Sequence, residues 1–195
     1  MKQKVLLTLS YEVVDREGKV IRKGKKKCDS FVKNYGLIQT VMGSGNTQDI
    51  VDTGGTTRTI KDTLDYDTGW CNSWGGLWPF FDLTAIQDQD DRGILIGSSN
   101  TPVSPDDFKL GSKFSNSTME CQTQNYSYSI GEDTGEFTIS RGFLNMTSSD
   151  IIAEESAIYI RYVNYYFMIV RDLLPSISVD PGQTLNLTYQ FTYYW

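Results

Sequence analysis

The sequence predicts a mainly β protein, an antiparallel β-sandwich of jelly-roll type with one short N-terminal helix and a long irregular insertion. Three observations carry that prediction. Apolar and polar side chains alternate at both ends: Val5, Leu7, Leu9, Tyr11 and Val13 near the start, Leu185, Leu187, Tyr189, Phe191, Tyr193 and Trp195 at the close. Short runs of similar character recur through the last hundred residues, punctuated by Gly, Pro, Asn and Asp. Only one substantial stretch has helical spacing.

Taken in order, the first strand runs from Val5 and ends at DREG (Asp15–Gly18). There Asp can accept bonds from the following amides, and Gly admits a left-handed backbone. Lys19 to Lys27 returns as a second strand. In SFVKNYGLIQTVMG, Ser30 suits an N-cap, Phe31, Tyr35, Ile38 and Met42 fall on one helical face, and Gly43 suits a stop. This predicts a helix near 30–42. Regularity is lost over 43–92, read as a loop-rich excursion from a single domain spanning 1–195. Its Trp70, Trp74, Trp78, Phe80 and Phe81 are costly to leave in water, so burial beneath the sheets or against a neighbouring subunit is expected. Removing Gly43–Asp91 should then leave a folded remainder. Further strands are predicted near 119–130, 136–145, 151–162, 165–171 and 176–179. The closing strand follows DPGQ, where Pro181 and Gly182 suit a type II turn. Its inward face should be Leu185, Leu187, Tyr189 and Phe191.

Composition narrows the function. The chain has 195 residues, 39% of them hydrophobic, in runs shorter than the roughly 20 residues of a membrane span. It contains no histidine. That removes His-activated nucleophiles, His-ligated zinc and most proton transfer at neutral pH. No enzymatic activity, cofactor or metal is predicted. The opening MKQKVLLTLSYEVVDREG alternates where a signal peptide needs a continuous apolar core, so synthesis in a cytoplasm is expected. Cys28, Cys71 and Cys121 are odd in number, far apart and without metal spacing, and read as buried free thiols.

Net charge is −6, but the first 33 residues are basic and the rest acidic. RKGKKK (Arg22–Lys27) lacks interleaved aromatics for base stacking. It reads as a solubilising strand edge, which argues against a nucleic-acid partner. Asp62, Asp65 and Asp67, and Asp88, Asp90 and Asp91, offer oxygen ligands of the kind Ca²⁺ takes, yet neither group has EF-hand spacing; both read as solvated loop acids. Glu154 and Glu155 are adjacent and would face opposite sides of a strand, a poor arrangement for a glycosidase pair. Arg141 and Arg171 follow apolar strand patterns and are expected in structural ion pairs, with Glu155 or Asp172 as acids.

Four stretches, KCDSFVKNYG, GILIGSSNTPVSPDDFKLGSKF, FTISRGFLNMTSSDIIAEESAIYIRY and MIVRDLLPSISVDPGQTLNLTYQFTY, resemble a group of virion proteins from tailed viruses of bacteria and archaea. That group looks alike in an SFVKN-type helix, a G-x-G-T-x-P loop, an E-x-G-L strand with a further apolar residue, an "aRd" strand and a closing strand. Gly97, Thr101 and Pro102 match the loop in part; Glu155, Ala157, Ile158 and Tyr159 match the strand with Ala for Gly. The likeness covers the helix and most of the last hundred residues, not Gly43–Arg92. It implies a non-enzymatic structural component of a virion (capsid surface, neck or tail), made in the host cytoplasm and working through copies of itself and other virion proteins. It transfers no catalytic residue. The candidate interface is Trp70, Trp74, Trp78, Phe80, Phe81, Tyr193 and Trp195. The alternative is a carbohydrate-binding adhesion module of a virion fibre, with Trp70, Trp74 and Trp78 as the platform for a glycan.

Overall fold

A computed structural model describes residues 4–28, 30–44, 46–60 and 82–195. In chain order, β1 (Lys4–Val14) and β2 (Val20–Cys28) form a hairpin, followed by α1 (Lys33–Ser44) and a small pair, β3 (Gln48–Val51) with β4 (Thr57–Ile60). Then come β5 (Gly93–Gly97), β6 (Met119–Cys121), β7 (Asn125–Ile130), β8 (Thr134–Asn145), β9 (Ile151–Tyr162), β10 (Tyr165–Val179) and β11 (Thr184–Tyr194). The described chain is mainly β, and its sheets are antiparallel. The larger sheet is ordered β2–β1–β11–β8, with β6 and β7 lying in succession along the far edge of β8; the smaller is β10–β9–β5.

Alternation builds the core as the sequence implies. Opposite residues of β1, β11 and β8 form rows on one face: Val13–Leu185–Phe143, Leu9–Tyr189–Ile139 and Leu7–Phe191–Phe137. Leu185, Leu187, Tyr189 and Phe191 are all buried. They join one apolar cluster with Ile94, Ile96, Ile158, Ile160, Phe167 and Val170 of the smaller sheet and with Ile38 and Val41 of α1. Each fully buried Leu, Ile or Phe contributes about 1.5–3 kcal/mol. The smaller sheet is covered on its other face too, where Leu95, Ala157, Tyr159 and Met168 meet Val32 and Leu110. Burial on both faces explains the near-continuous apolar runs in β5 and β9.

The turns follow their local chemistry. Asp15 accepts the amides of Glu17 and Lys19, and Gly18 has φ 84°. Before β11, Gly182 has φ 77° and Gln183 N–H bonds the Asp180 carbonyl, as a type II turn requires.

Several expectations are corrected. The helix lies at Lys33–Ser44, not 30–42. Ser30–Val32 is instead an extended strip on the edge of β10: Arg171 N–H bonds Ser30 O, Val32 N–H bonds Ile169 O, and Phe31 bridges Val170. The Ser30 hydroxyl bonds Asp172, so it is spent on the sheet and does not cap a helix. Gly43 is no stop either; the helix runs through it. The excursion is not irregular throughout, because β3 and β4 form a hairpin whose turn is held by the Asp52 carboxylate accepting Gly54 and Thr56 amides. Ile50 and Ile60 are fully buried in the main cluster, so removal of Gly43–Asp91 would strip core side chains. Trp70, Trp74, Trp78, Phe80 and Phe81 lie outside the described residues, as do Asp62, Asp65, Asp67 and Cys71.

The predicted strand 119–130 is interrupted at 122–124, and Arg141 is the reason. The register to β8 shifts by one residue between Cys121↔Phe143 and Asn125↔Ser140, a bulge opposite Arg141. Arg141 is 1% exposed, and its guanidinium gives all five N–H groups to main-chain carbonyls: Gln122, Arg92, Ile94, Ile86 and Gln89. The expected ion pair is replaced by a cage of carbonyls from the 86–94 segment and the bulge. Gln124 completes the tie, accepting Ile94 N–H and donating to Leu83 O.

Replacing Arg141 leaves several of these carbonyls without donors, each costing about 1–3 kcal/mol. Arg141→Ala is therefore expected to lower stability by at least about 3 kcal/mol, and Arg141→Lys to rescue only part, since an ammonium has three donors without the planar fork. Urea denaturation followed by circular dichroism checks this; equal stability of Lys and Arg would refute the cage. In the β9–β10 turn, Val163 has φ 55°, a conformation hostile to a β-branched residue. Val163→Gly is expected to raise the melting temperature by a few degrees, corresponding to about 0.5–1 kcal/mol.

Candidate interaction surface

Charged side chains of this protein are drawn inward to hold loops. Arg171, buried on the outer face of the smaller sheet, donates Nε–H to Glu155 at 2.9 Å and Nη1–H to Asp107 at 2.7 Å, and also reaches the carbonyls of Thr101 and Pro102. Glu155, fully buried, further accepts the amides of Gly111 and Ser112. Gly97 lies opposite Glu155 in register, and a Cβ there would sit 2.5 Å from the carboxylate and 2.4 Å from Ser112 O, so only glycine fits. The Tyr159 hydroxyl accepts Leu110 N–H, and burial raises its phenol far above the ordinary range. The 98–112 loop is thus stapled to β9 and β10. Gly97, Thr101, Pro102, Glu155 and Arg171, which lie far apart in three of the resembling stretches, meet here.

Asp172, next in the chain, faces the opposite way. Its carboxylate accepts the Ser30 hydroxyl at 2.8 Å and lies 3.5 Å from Lys26 Nζ. The expectation for Arg171 holds for Glu155 but not for Asp172. Burial, and then the Asp172 charge, push the Cys28 thiol far up; burial pushes Cys121 up to about 11.

The other acidic candidates are dispersed. Asp88 accepts the Asn116 amide and Asp90 lies 3.4 Å from Lys113. Among the described residues no three Cys, Asp or Glu side chains converge as a metal site would require. Glu154 accepts the Ser176 hydroxyl on the face opposite Glu155. Ser10, Tyr11, Glu12, Lys23, Gly24, Lys25, Asn186 and Thr188 of β1, β2 and β11 line a depression of about 580 Å³ with mixed polar and apolar walls.

Large apolar side chains are also exposed, at one end of the larger sheet. The core-facing rows run Leu9–Tyr189–Ile139–Tyr126, then Leu7–Phe191–Phe137–Tyr128, then Val5–Tyr193–Gly135–Ile130. Cover by the described residues ends with the last row and with β7: Val5 is 47% exposed, Ile130 77% and Tyr128 82%. Trp195 closes this end. Its ring lies over Gly135, where a Cβ would come within 2.6 Å, and its Nε1–H and main-chain N–H bond the carbonyls of Glu132 and Asp133 in the β7–β8 turn. The terminal aromatic is therefore seated, yet 44% exposed.

Aromatic contacts join this end to the helix. Tyr126–Phe137, Phe137–Phe191 and Phe191–Phe31 have ring centroids 6.4, 5.9 and 6.3 Å apart, and Phe31 stacks on Tyr35 at 4.2 Å. Burial, and then the nearby Tyr193 hydroxyl, raise the Tyr35 phenol. Beside it Tyr35, Ile38, Gln39, Met42 and Ile169 line a mostly apolar groove of about 470 Å³. Of the sequence-predicted interface, Tyr193 and Trp195 are brought together here. Tyr128, Ile130 and Val5 were missed, although the Tyr126–Tyr128–Ile130 alternation in NYSYSI was available as a signal.

Native Cys28 and Cys121 are expected to resist alkylation at pH 8 and to react once the protein is unfolded, because thiolate formation is suppressed and access is blocked. Peptide mass spectrometry after iodoacetamide treatment checks this, and rapid native labelling of either would contradict the burial described. Compared with known protein families, curated proteins and solved structures, the chain shows no match.

Proposed function

We propose that this chain is a non-enzymatic structural component of a tailed-virus particle, at the capsid surface, neck or tail. It works as a β-sandwich of jelly-roll type through contacts with copies of itself and with other virion proteins. The observation that carries the reading is the apolar end of the larger sheet. Val5, Tyr128, Ile130, Tyr193 and Trp195 stand in or beside its last rows, on the face that elsewhere is core, with no element of the described chain over them. Exposed apolar patches of this kind, rich in aromatics, mark protein–protein contacts. The convergence of Gly97, Thr101, Pro102, Glu155 and Arg171 adds support, since it gives the resembling stretches a common structural purpose.

Glu155 is committed to Arg171 and two backbone amides, which leaves it poorly suited to act as a general acid. The exposed rings of Tyr128 and Trp195 favour one second reading, a glycan-binding module in which they stack on sugar rings. Mass spectrometry of purified particles is the decisive test, and the protein is expected among the virion components. Its absence from particles would overturn the proposal, while glycan-array binding lost in Trp195→Ala would favour the second reading.

A further inference from the structure

The larger sheet has one edge unlike the others. At its far edge, β2 exposes Lys23, Lys25 and Lys27, charges that oppose pairing with another strand. The edges of the smaller sheet are already occupied: Ser30–Val32 runs along β10, and Ser98 N–H bonds Ser112 O while Phe114 N–H bonds Ile96 O, linking β5 to the 112–114 segment. Strand β7, NYSYSI, carries no charge and no proline, and all six residues are exposed. Neither a charge, a proline nor, among the described residues, a covering segment protects it.

Its outer backbone groups, unpaired among the described residues, fall in a self-complementary register. Gly131 N–H bonds Thr134 O, so Gly131 and Thr134 form a hydrogen-bonded pair. By antiparallel alternation Tyr126, Tyr128 and Ile130 occupy non-hydrogen-bonded sites against β8 and direct their N–H and C=O outward. A second copy related by a twofold axis through Tyr128 would set Tyr128 opposite Tyr128 and Tyr126 opposite Ile130, with about six new main-chain hydrogen bonds. Residues opposite one another share a face, so the apolar end of one sheet continues into the other. The acidic turns at Glu132 and Asp133 would lie at opposite ends of the seam, about 27 Å apart and beyond the screening length, so they do not oppose the pairing.

We propose that β7 is a homodimerisation edge, joining two copies of this chain antiparallel about Tyr128 into one continuous sheet. The strand and the exposed faces of Tyr128 and Ile130 supply about 500 Å² per copy, near the lower limit of a specific interface, so association is concentration-dependent in the micromolar range. The inference deepens the assembly reading above but is measured on the isolated protein. Absence from particles would remove that reading and leave the dimer untouched, whereas a monomer found in particles would do the reverse.

Sedimentation velocity of the full chain from about 5 to about 500 μM, spanning the expected dissociation constant, is expected to show a monomer–dimer equilibrium. Tyr128→Lys places like charges opposite each other and is expected to stay monomeric, with an unchanged circular dichroism spectrum because the side chain is 82% exposed. In a Cys71→Ser background, Tyr128→Cys is expected to form a disulfide-linked dimer on oxidation, its Cα atoms being about 5.5 Å apart across the axis. Ser127→Cys, about 8 Å from its own copy, is expected not to. A wild-type protein monomeric at the highest concentration, a Tyr128→Lys variant that dimerises equally well, or equal cross-linking of both cysteine variants would each overturn the proposal.

Discussion

The Arg171–Asp172 dipeptide holds the two sides of this structure in register. Successive strand residues point to opposite faces, so two neighbouring charges can serve two layers at once. Arg171 gathers Glu155, Asp107 and two loop carbonyls on the outer face of β10. Asp172 receives Ser30 and Lys26 on the core face, tying the smaller sheet to β2 and to the strip that leads into α1. Buried charges are tolerated only when paired and hydrogen-bonded, and Arg171 and Glu155 meet that condition by drawing distant backbone into place. The start of α1 depends on it: with Ser30–Val32 fixed along β10, helical geometry cannot begin before Lys33.

Arg141 solves a different problem. The 86–94 segment has few strand partners, and its carbonyls would be buried without donors. A single guanidinium, with five donors in a rigid fork, collects four carbonyls from that segment and one from the bulge at Gln122. The bulge in turn separates β6 from β7. Without it the two would form one longer strand along β8; with it, β7 stands as a short hairpin arm whose core-facing residues extend past the smaller sheet.

The consequence is a distribution of charge and apolar surface that inverts the usual expectation at two places. Several charges are buried as fasteners, while tyrosine, isoleucine and tryptophan are exposed on a sheet end. A smaller sheet of three strands cannot cover a larger sheet whose outermost rows reach Val5, Tyr193 and Ile130. The apolar rows that continue beyond that cover are chemically the same as core rows. They differ only in lacking a lid among the described residues.

The sequence by itself determined the mainly β class, the hairpin turn at Asp15–Gly18, the type II turn at Pro181–Gly182 that crosses between the sheets, and the inward faces of β1 and β11. These are local: alternation sets the face, and Asp, Pro and Gly set the backbone angles. The identities of Arg141, Glu155 and Arg171 as unusual residues were also legible, because charges inside apolar runs stand out. Only the tertiary structure decided their partners, since Arg141 found carbonyls where an acid was expected and Asp172 chose Lys26 over Arg171. It also decided where the helix starts, that Ile50 and Ile60 belong to the core, and that Tyr128 and Ile130 stay uncovered. Each of these depends on which segments lie across from one another. Side-chain periodicity records which face a residue takes, but it carries no information about how far the opposing sheet extends.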